Sequence, residues 1–198
     1  MAALGKARVP TDAELKRLIN VTRTAEHAKR NVAILAVSYR LGLRAKEISA
    51  LRVRHVLGED EQVRDECRLT EAMTKGGKPR VAYLSNSVVR QALREYVDER
   101  RQREDILFNV DAPLFRSQKG NSFSPNSMQQ LMRRLHDHAG IPGGRSHSGR
   151  RWFATELISK GVDLKAVSTL MGHRSISMTA QYAEDNPQRL RRITAELI

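Results

Sequence analysis

"MGHRSISMTAQYA", residues 171–183, sets His173 and Tyr182 nine positions apart, with mainly small hydroxyl and apolar residues between them. Two readings compete for this pair. In one, a packed histidine and a surface phenol sit at the ends of a short helical segment. In the other, the imidazole and the phenol belong to one reactive site. The rest of the chain decides between them.

The chain has 198 residues, 40% of them hydrophobic, which suffices for a sizeable core and predicts one domain. Thirty-five Lys and Arg against 22 Asp and Glu give a formal net charge of +13. That excess is far beyond what solubility needs, and it points to a polyanion partner, nucleic acid first. A single cysteine, Cys67, excludes an internal disulfide and a cysteine-based zinc cluster and fits a reducing compartment. The N-terminal "MAALGKARVP" has no apolar signal core, and the longest apolar run, residues 32–37, is too short to span a bilayer. A cytoplasmic protein, nucleoid-associated when bound to DNA, is expected.

Periodicity outward from the opening segment is mainly helical. "DLKAVSTLMGH" and "SISMTAQYAE" read as two short helices around Gly172. Upstream, "TDAE" (residues 11–14) has capping-box spacing ahead of Leu15, Leu18 and Ile19. "NVAILAVSYRLG" is apolar nearly all round, which predicts a buried helix closed by Gly42, and "AKEISALRV" resumes the helical pattern with Arg44 at its start. From Cys67 to Leu84 the pattern turns strand-like on either side of "KGGK", where paired glycines suit a tight hairpin flanked by Lys75 and Lys78. Val88, Val89, Ala92, Leu93, Tyr96 and Val97 form an apolar stripe on the next helix. A further helix carries Ser124 as N-cap, Pro125 in its first turn and Gly140 at its end. The fold class expected is mainly α with a small antiparallel β hairpin (α+β).

No glycine-rich phosphate loop, HExxH or carboxylate cluster suited to paired magnesium ions is present in the sequence. No cofactor and no metal are therefore expected. What stands at element ends is cationic or imidazole: Arg44, Lys75, His147, Arg150 and His173, followed by Tyr182. This set suits phosphodiester chemistry. Negative charge that gathers on the non-bridging oxygens in phosphoryl transfer must be opposed by something in place of a metal ion, and arginine forks match two phosphate oxygens. A phenol titrating at about pH 10 needs a cationic setting or a base to become a nucleophile. Taken singly each signal is common: H-x-x-R occurs at "HSGR" (147–150) and again at "HAKR" (27–30), where a solvated helix face accounts for it.

In their joint order these segments resemble the catalytic domain of the tyrosine recombinase, or phage integrase, family. "LGLRAKEISALR" is similar to its first arginine box, "TKGGKPR" to its hairpin lysine segment, "HSGRRWFAT" to its H-x-x-R box and "LMGHRSISMTAQYA" to its tyrosine box. The likeness spans roughly residues 10–185. It implies a site-specific DNA recombinase that cleaves and rejoins strands through a 3′-phosphotyrosine, without metal or ATP. By the same resemblance Arg44 and Arg150 clamp the scissile phosphate, Tyr182 attacks it, His147 assists proton transfer, Lys75 protonates the leaving oxygen and His173 hydrogen-bonds a phosphate oxygen. Glu47 buttresses Arg44. Lys75 is preferred to Lys78 because it matches the first lysine of the pattern. Type IB topoisomerase-like relaxation and a non-catalytic DNA-binding module of the same fold are the alternatives.

The chain departs from the family pattern at Ser148 and Gly149, where an acidic or polar residue and a leucine are common, and at Arg151, which replaces a frequent histidine. A glycine at 149 is expected to loosen the helix start beside Arg150. By the same resemblance residues 1–198 are expected to be one catalytic domain without the N-terminal DNA-clamping domain of larger members, either excised or of the minimal kind seen in fimbrial phase-variation recombinases. Residues 186–198 form a C-terminal helix, with Leu190, Ile193 and Leu197 on one face, that docks on a neighbouring protomer or packs on its own core. The expected partner is double-stranded DNA, bound by a homo-tetramer whose subunits are monomers when free, with DNA-bending proteins as candidate accessories and no membrane contact.

Overall fold

The computed structural model describes residues 7–74, 76, 78–184, 191, 194 and 195. Among them the regular structure is eight α-helices, two short 3-10 turns and one two-stranded antiparallel sheet, the α+β class read from the sequence. No helix of the described residues is long and apolar enough to cross a membrane.

Helix α1 (Asp12–Arg23) begins at the capping box: the Glu14 amide donates to Thr11 Oγ1 (3.2 Å) and the Thr11 amide to Glu14 Oε2 (2.9 Å). Its buried Leu15 and Leu18 pack on α2 (Ala28–Leu41). That helix is apolar nearly all round because three others cover it: α1, α4 (Ser87–Glu104) and α6 (Ser146–Ser159). It stops at Gly42, whose φ of +62° favours glycine. Helix α3 (Ala45–Ala50) starts three residues beyond Gly42, with Arg44 as its N-cap. Arg30 is not on a solvated face. It is buried, donates to the Arg116 carbonyl (3.0 Å) and stacks over Phe123, so packing accounts for this second H-x-x-R.

Strand β1 (Glu66–Leu69) pairs with β2 (Arg80–Tyr83), Cys67 opposite Ala82. The expected tight glycine turn is not what joins them. Residues 70–79 do, and they open with a helical turn in which the Met73 and Thr74 amides donate to the Thr70 carbonyl. On α4 the inward stripe begins at Val89; Val88, in the first turn, is 50% exposed. Helix α5 (Pro125–His138) is capped by Ser124, which accepts the Ser127 amide (3.1 Å), and ends ahead of Gly140 at φ +66°.

Two apolar clusters result. The larger is built from α1 to α5 and the sheet and ends at Trp152. The smaller consists of Ala154, Ile158, Val167 and Met171, contributed by the second half of α6 and by α7 (Leu164–Met171). Helix α8 (Ser177–Glu184) lies on this second cluster, with Tyr182 and Ala183 packed against it. Gly149 does the reverse of loosening α6: a Cβ there would fall 2.3 Å from Ser38 Oγ and 3.0 Å from the Ser38 carbonyl carbon. Its bare backbone lets α6 press against α2, which sets the depth of Arg150 one residue on. Leu190, Ile193 and Leu197, the proposed C-terminal face, lie outside the described residues.

Candidate active site

Four helix ends and one strand meet at the ends of α2 and α7. Both helices finish in a left-handed glycine, Gly42 and Gly172, and the carbonyls there point at one side chain. Arg150, 3% exposed, donates from Nη1 to the Gly42 carbonyl (2.7 Å) and from Nη2 to the Met171 carbonyl. The negative ends of two helix dipoles thus hold a buried cation. Burial first, then the charges of Arg44 and Arg80, push Arg150 down to about 9, still protonated at neutral pH. Two of its five N–H donors are spent on carbonyls, and among the described residues three remain.

Arg44 is placed by the turn into α3. Glu47, fully buried, accepts the Arg44 amide (2.8 Å) and Arg44 Nη1 (2.9 Å), which fixes both the cap and the guanidinium. The second clamp on Glu47 is Arg80 Nη2 (2.8 Å), from the first residue of β2. Burial opposes the charge on Glu47, but Arg80, the Arg44 amide and Arg150 more than offset it and hold the carboxyl below its usual range. Arg80 also donates to the Leu170 carbonyl (2.6 Å), tying β2 to α7. Its stem runs where a Gly172 Cβ would stand, 2.5 Å from Arg80 Cδ, so the glycine serves the arginine as well as the helix end. Arg44, Arg80 and Arg150 outnumber the single carboxylate among them, leaving a surplus of positive charge that an anion can answer.

His173 follows Gly172, its amide bonded to the Ser168 carbonyl (3.0 Å) in the helix-ending turn. Burial, and after it Arg150, Arg44 and Arg80, push the imidazole down to about 4, so it is neutral at working pH. Nδ1 lies 2.8 Å from Thr179 Oγ1. The Tyr182 ring stacks on the imidazole, centroids 6.0 Å apart and planes 10° from parallel, and the Arg151 guanidinium sits over the phenol at 5.6 Å. Tyr182 is near enough for a phenolate there to raise Arg150. The phenol thus lies between an imidazole and a guanidinium.

Arg44, Glu47, Arg150, His173 and Tyr182 thus share one locality. His147 is exposed on the first turn of α6, one turn before Arg150 and on the same side of the helix. Lys75 lies outside the described residues. The loop that carries it is anchored next door, where Arg174 Nη2 donates to the Gly76 carbonyl (2.6 Å). Lys78 is exposed and lines a groove with Arg80, His173, Arg174 and Lys165, and a second groove with Arg54, His55, Arg64 and Arg68 continues from it past Arg80. Arg80, Arg174 and Thr179 are the site residues that sequence reasoning missed. Arg80 stood inside the quoted "TKGGKPR", but nothing local marks which cation turns inward.

The pattern of the Phage integrase family matches residues 8–189. The chain belongs to that family. Relatives include tyrosine recombinase XerC of Pelobacter propionicus, 31% identical over 170 residues that cover 85% of this chain and 52% of the relative. Tyrosine recombinase XerD of Mycobacterium leprae is 33% identical over 172 residues, covering 84% and 51%. This integrase-family chain therefore spans about half the length of the curated relatives it matches. Among solved structures, XerA recombinase superposes with a TM-score of 0.76 at 25% identity, over 97% of this chain and 65% of that one. XerH recombinase, solved bound to a palindromic difH substrate, shares the fold with a TM-score of 0.72 at 23% identity, over 96% and 53%.

Proposed function

We propose that residues 10–185 are the catalytic core of a site-specific DNA recombinase that cleaves and rejoins double-stranded DNA by transesterification. The observation that carries this reading is the convergence of Arg44 and Arg150, locked by Glu47 and two helix ends, on the place where Tyr182 stacks against His173. Membership of a family whose relatives here are tyrosine recombinases supports it. The two continuous basic grooves around Arg80 suit a phosphate backbone.

In the proposed reaction the Tyr182 oxygen attacks the scissile phosphorus and the bond to the 5′ oxygen breaks. Lys75 gives that oxygen its proton, and His147 at the rim assists proton transfer from the phenol. Arg44 and Arg150 oppose the charge on the non-bridging oxygens, which gains most from guanidiniums already fixed in place. His173 donates to one of those oxygens. The 3′-phosphotyrosine ester retains the energy of the broken bond, so attack by a 5′ hydroxyl reseals the strand. Recombination brings two duplexes together, each cut on both strands, so four copies act as a tetramer on DNA and separate to monomers when free.

The test uses nicked suicide duplexes made from flanking genomic DNA and counts protein that stays attached after denaturation. Wild-type protein is expected to form the adduct. Tyr182→Phe is expected to form none while binding the same duplex as tightly. An adduct that persists in the variant would move the nucleophile elsewhere and overturn the reading.

A further inference from the structure

A neutral histidine has one ring proton and two nitrogens to put it on, and only one choice makes His173 a donor away from α8. Its Nδ1 is 2.8 Å from Thr179 Oγ1, and Thr179 is fully buried. Other threonine hydroxyls in this chain turn back on their own helix: those of Thr22, Thr24 and Thr169 each donate to a carbonyl three or four residues earlier. The Thr179 hydroxyl does not. Among the described residues its hydrogen-bond partner is the imidazole.

That difference assigns the proton. With hydrogen on Nδ1, the ring would donate to Oγ1 and the hydroxyl hydrogen would be left in the interior with no acceptor, which folded proteins avoid. With the hydroxyl donating, Nδ1 accepts and the ring proton belongs to Nε2, the nitrogen on the far edge of the ring. We propose that Thr179 is a positioning residue that holds His173 as the Nε2–H tautomer, so that the imidazole presents a donor to a phosphate oxygen.

The consequence for the reaction rests on the function proposed above; the tautomer itself does not. Burial and the three nearby guanidiniums keep the ring neutral, and this is why the choice matters: an imidazolium would donate from both nitrogens whatever Thr179 did. The helix adds economy. Thr179 and Tyr182 are three residues apart on α8, so one helical face carries both the group that sets the imidazole proton and the phenol stacked on the ring.

Nitrogen-15 NMR of the histidine side chain distinguishes the tautomers in the DNA-free protein. Wild type is expected to show a protonated Nε2 and a bare Nδ1 at His173, and a protonated Nδ1 there would overturn the proposal without any variant. Thr179→Val, equal in shape but without the hydroxyl, is expected to move the proton toward Nδ1 and to slow adduct formation about tenfold to a hundredfold. Thr179→Ser, which restores the donor, should return both readings to near wild type. A Val variant whose tautomer is unchanged, or whose cleavage is unimpaired after the tautomer has moved, would also overturn it. Failure of wild-type protein to form any adduct would strike the functional reading instead, and the nitrogen signals would still decide the tautomer.

Discussion

The two halves of the site are built in opposite ways. Its cationic half, Arg44, Arg80 and Arg150 around Glu47, is sewn into the fold by ion pairs and by carbonyls at the ends of α2 and α7. The half that carries Tyr182 rests on the short α8, which leans on a second cluster of four buried side chains; Tyr182 packs against that cluster and meets His173 and Arg151 through its ring. The difference follows the work each half would do. Charge stabilisation gains from groups that need no rearrangement as the reaction proceeds, whereas an attacking oxygen has to travel to the phosphorus.

The most severe way to break this contrast is to remove the knot of the rigid half. In Glu47→Gln two guanidiniums, one of them as buried as Arg80, keep their charge and lose their counter-ion. The protein is expected to lose about 3–5 kcal/mol of stability, read from the denaturant midpoint. A loss no larger than that of a surface substitution would mean that the cationic half is not locked in the way described.

Arg150 and Arg44 sharpen the contrast, because they should cost the reaction alike and the fold unequally. Either alanine variant is expected to lose cleavage about a hundredfold to a thousandfold, as removal of a principal charge stabiliser does. Arg150→Ala also orphans the Gly42 and Met171 carbonyls and should cost about 3 kcal/mol of stability. Arg44→Ala leaves Glu47 paired with Arg80 and should cost about 1 kcal/mol. Single-turnover adduct rates and unfolding midpoints of the two variants, measured together, check both statements.

How far each half could be read in advance follows the same division. Caps and helix ends are local chemistry, so the Thr11–Glu14 box, the stop at Gly42, Ser124 and the placement of Arg44 at a helix start were legible in the letters. Arg44, Arg150, His173 and Tyr182, each common when taken singly, were picked out by the joint order of their segments, and the fold brings them into one locality. What escaped were facts of distance. Arg80 matters because β2 passes within reach of both α3 and α7, and neither its neighbours in sequence nor its charge announces this. Gly149 looked like a weak helix start and is instead the point where α6 meets Ser38. Arg30 looked solvated and is buried, stacked over Phe123. Thr179 had the same letters as any helical threonine until its hydroxyl was found on an imidazole.

The smallest expected effect is on pH. His173 titrates near its ordinary 6.5 in the unfolded chain and at about 4 in the fold, since burial and the charges of Arg150, Arg44 and Arg80 oppose a proton there. Between these values the unfolded chain binds a proton that the folded protein refuses, so stability is full above pH 6.5 and falls as the pH drops toward 4. His55 and the fully buried His136 are lowered in the same direction by burial, and Glu47, Glu104 and Glu14 add their own loss only in the carboxylate range below. The contribution of His173 must therefore be read as a difference. Unfolding free energies of wild type and His173→Gln, measured from pH 7 down to the acid limit, should draw together by on the order of 1–2 kcal/mol across that window, because a glutamine has no proton to refuse and the ring is only half-buried. Parallel curves would mean that His173 accepts its proton in the fold as readily as in water. The imidazole would then stand outside the cationic half rather than against it, and the contrast between the two halves would have been drawn in the wrong place.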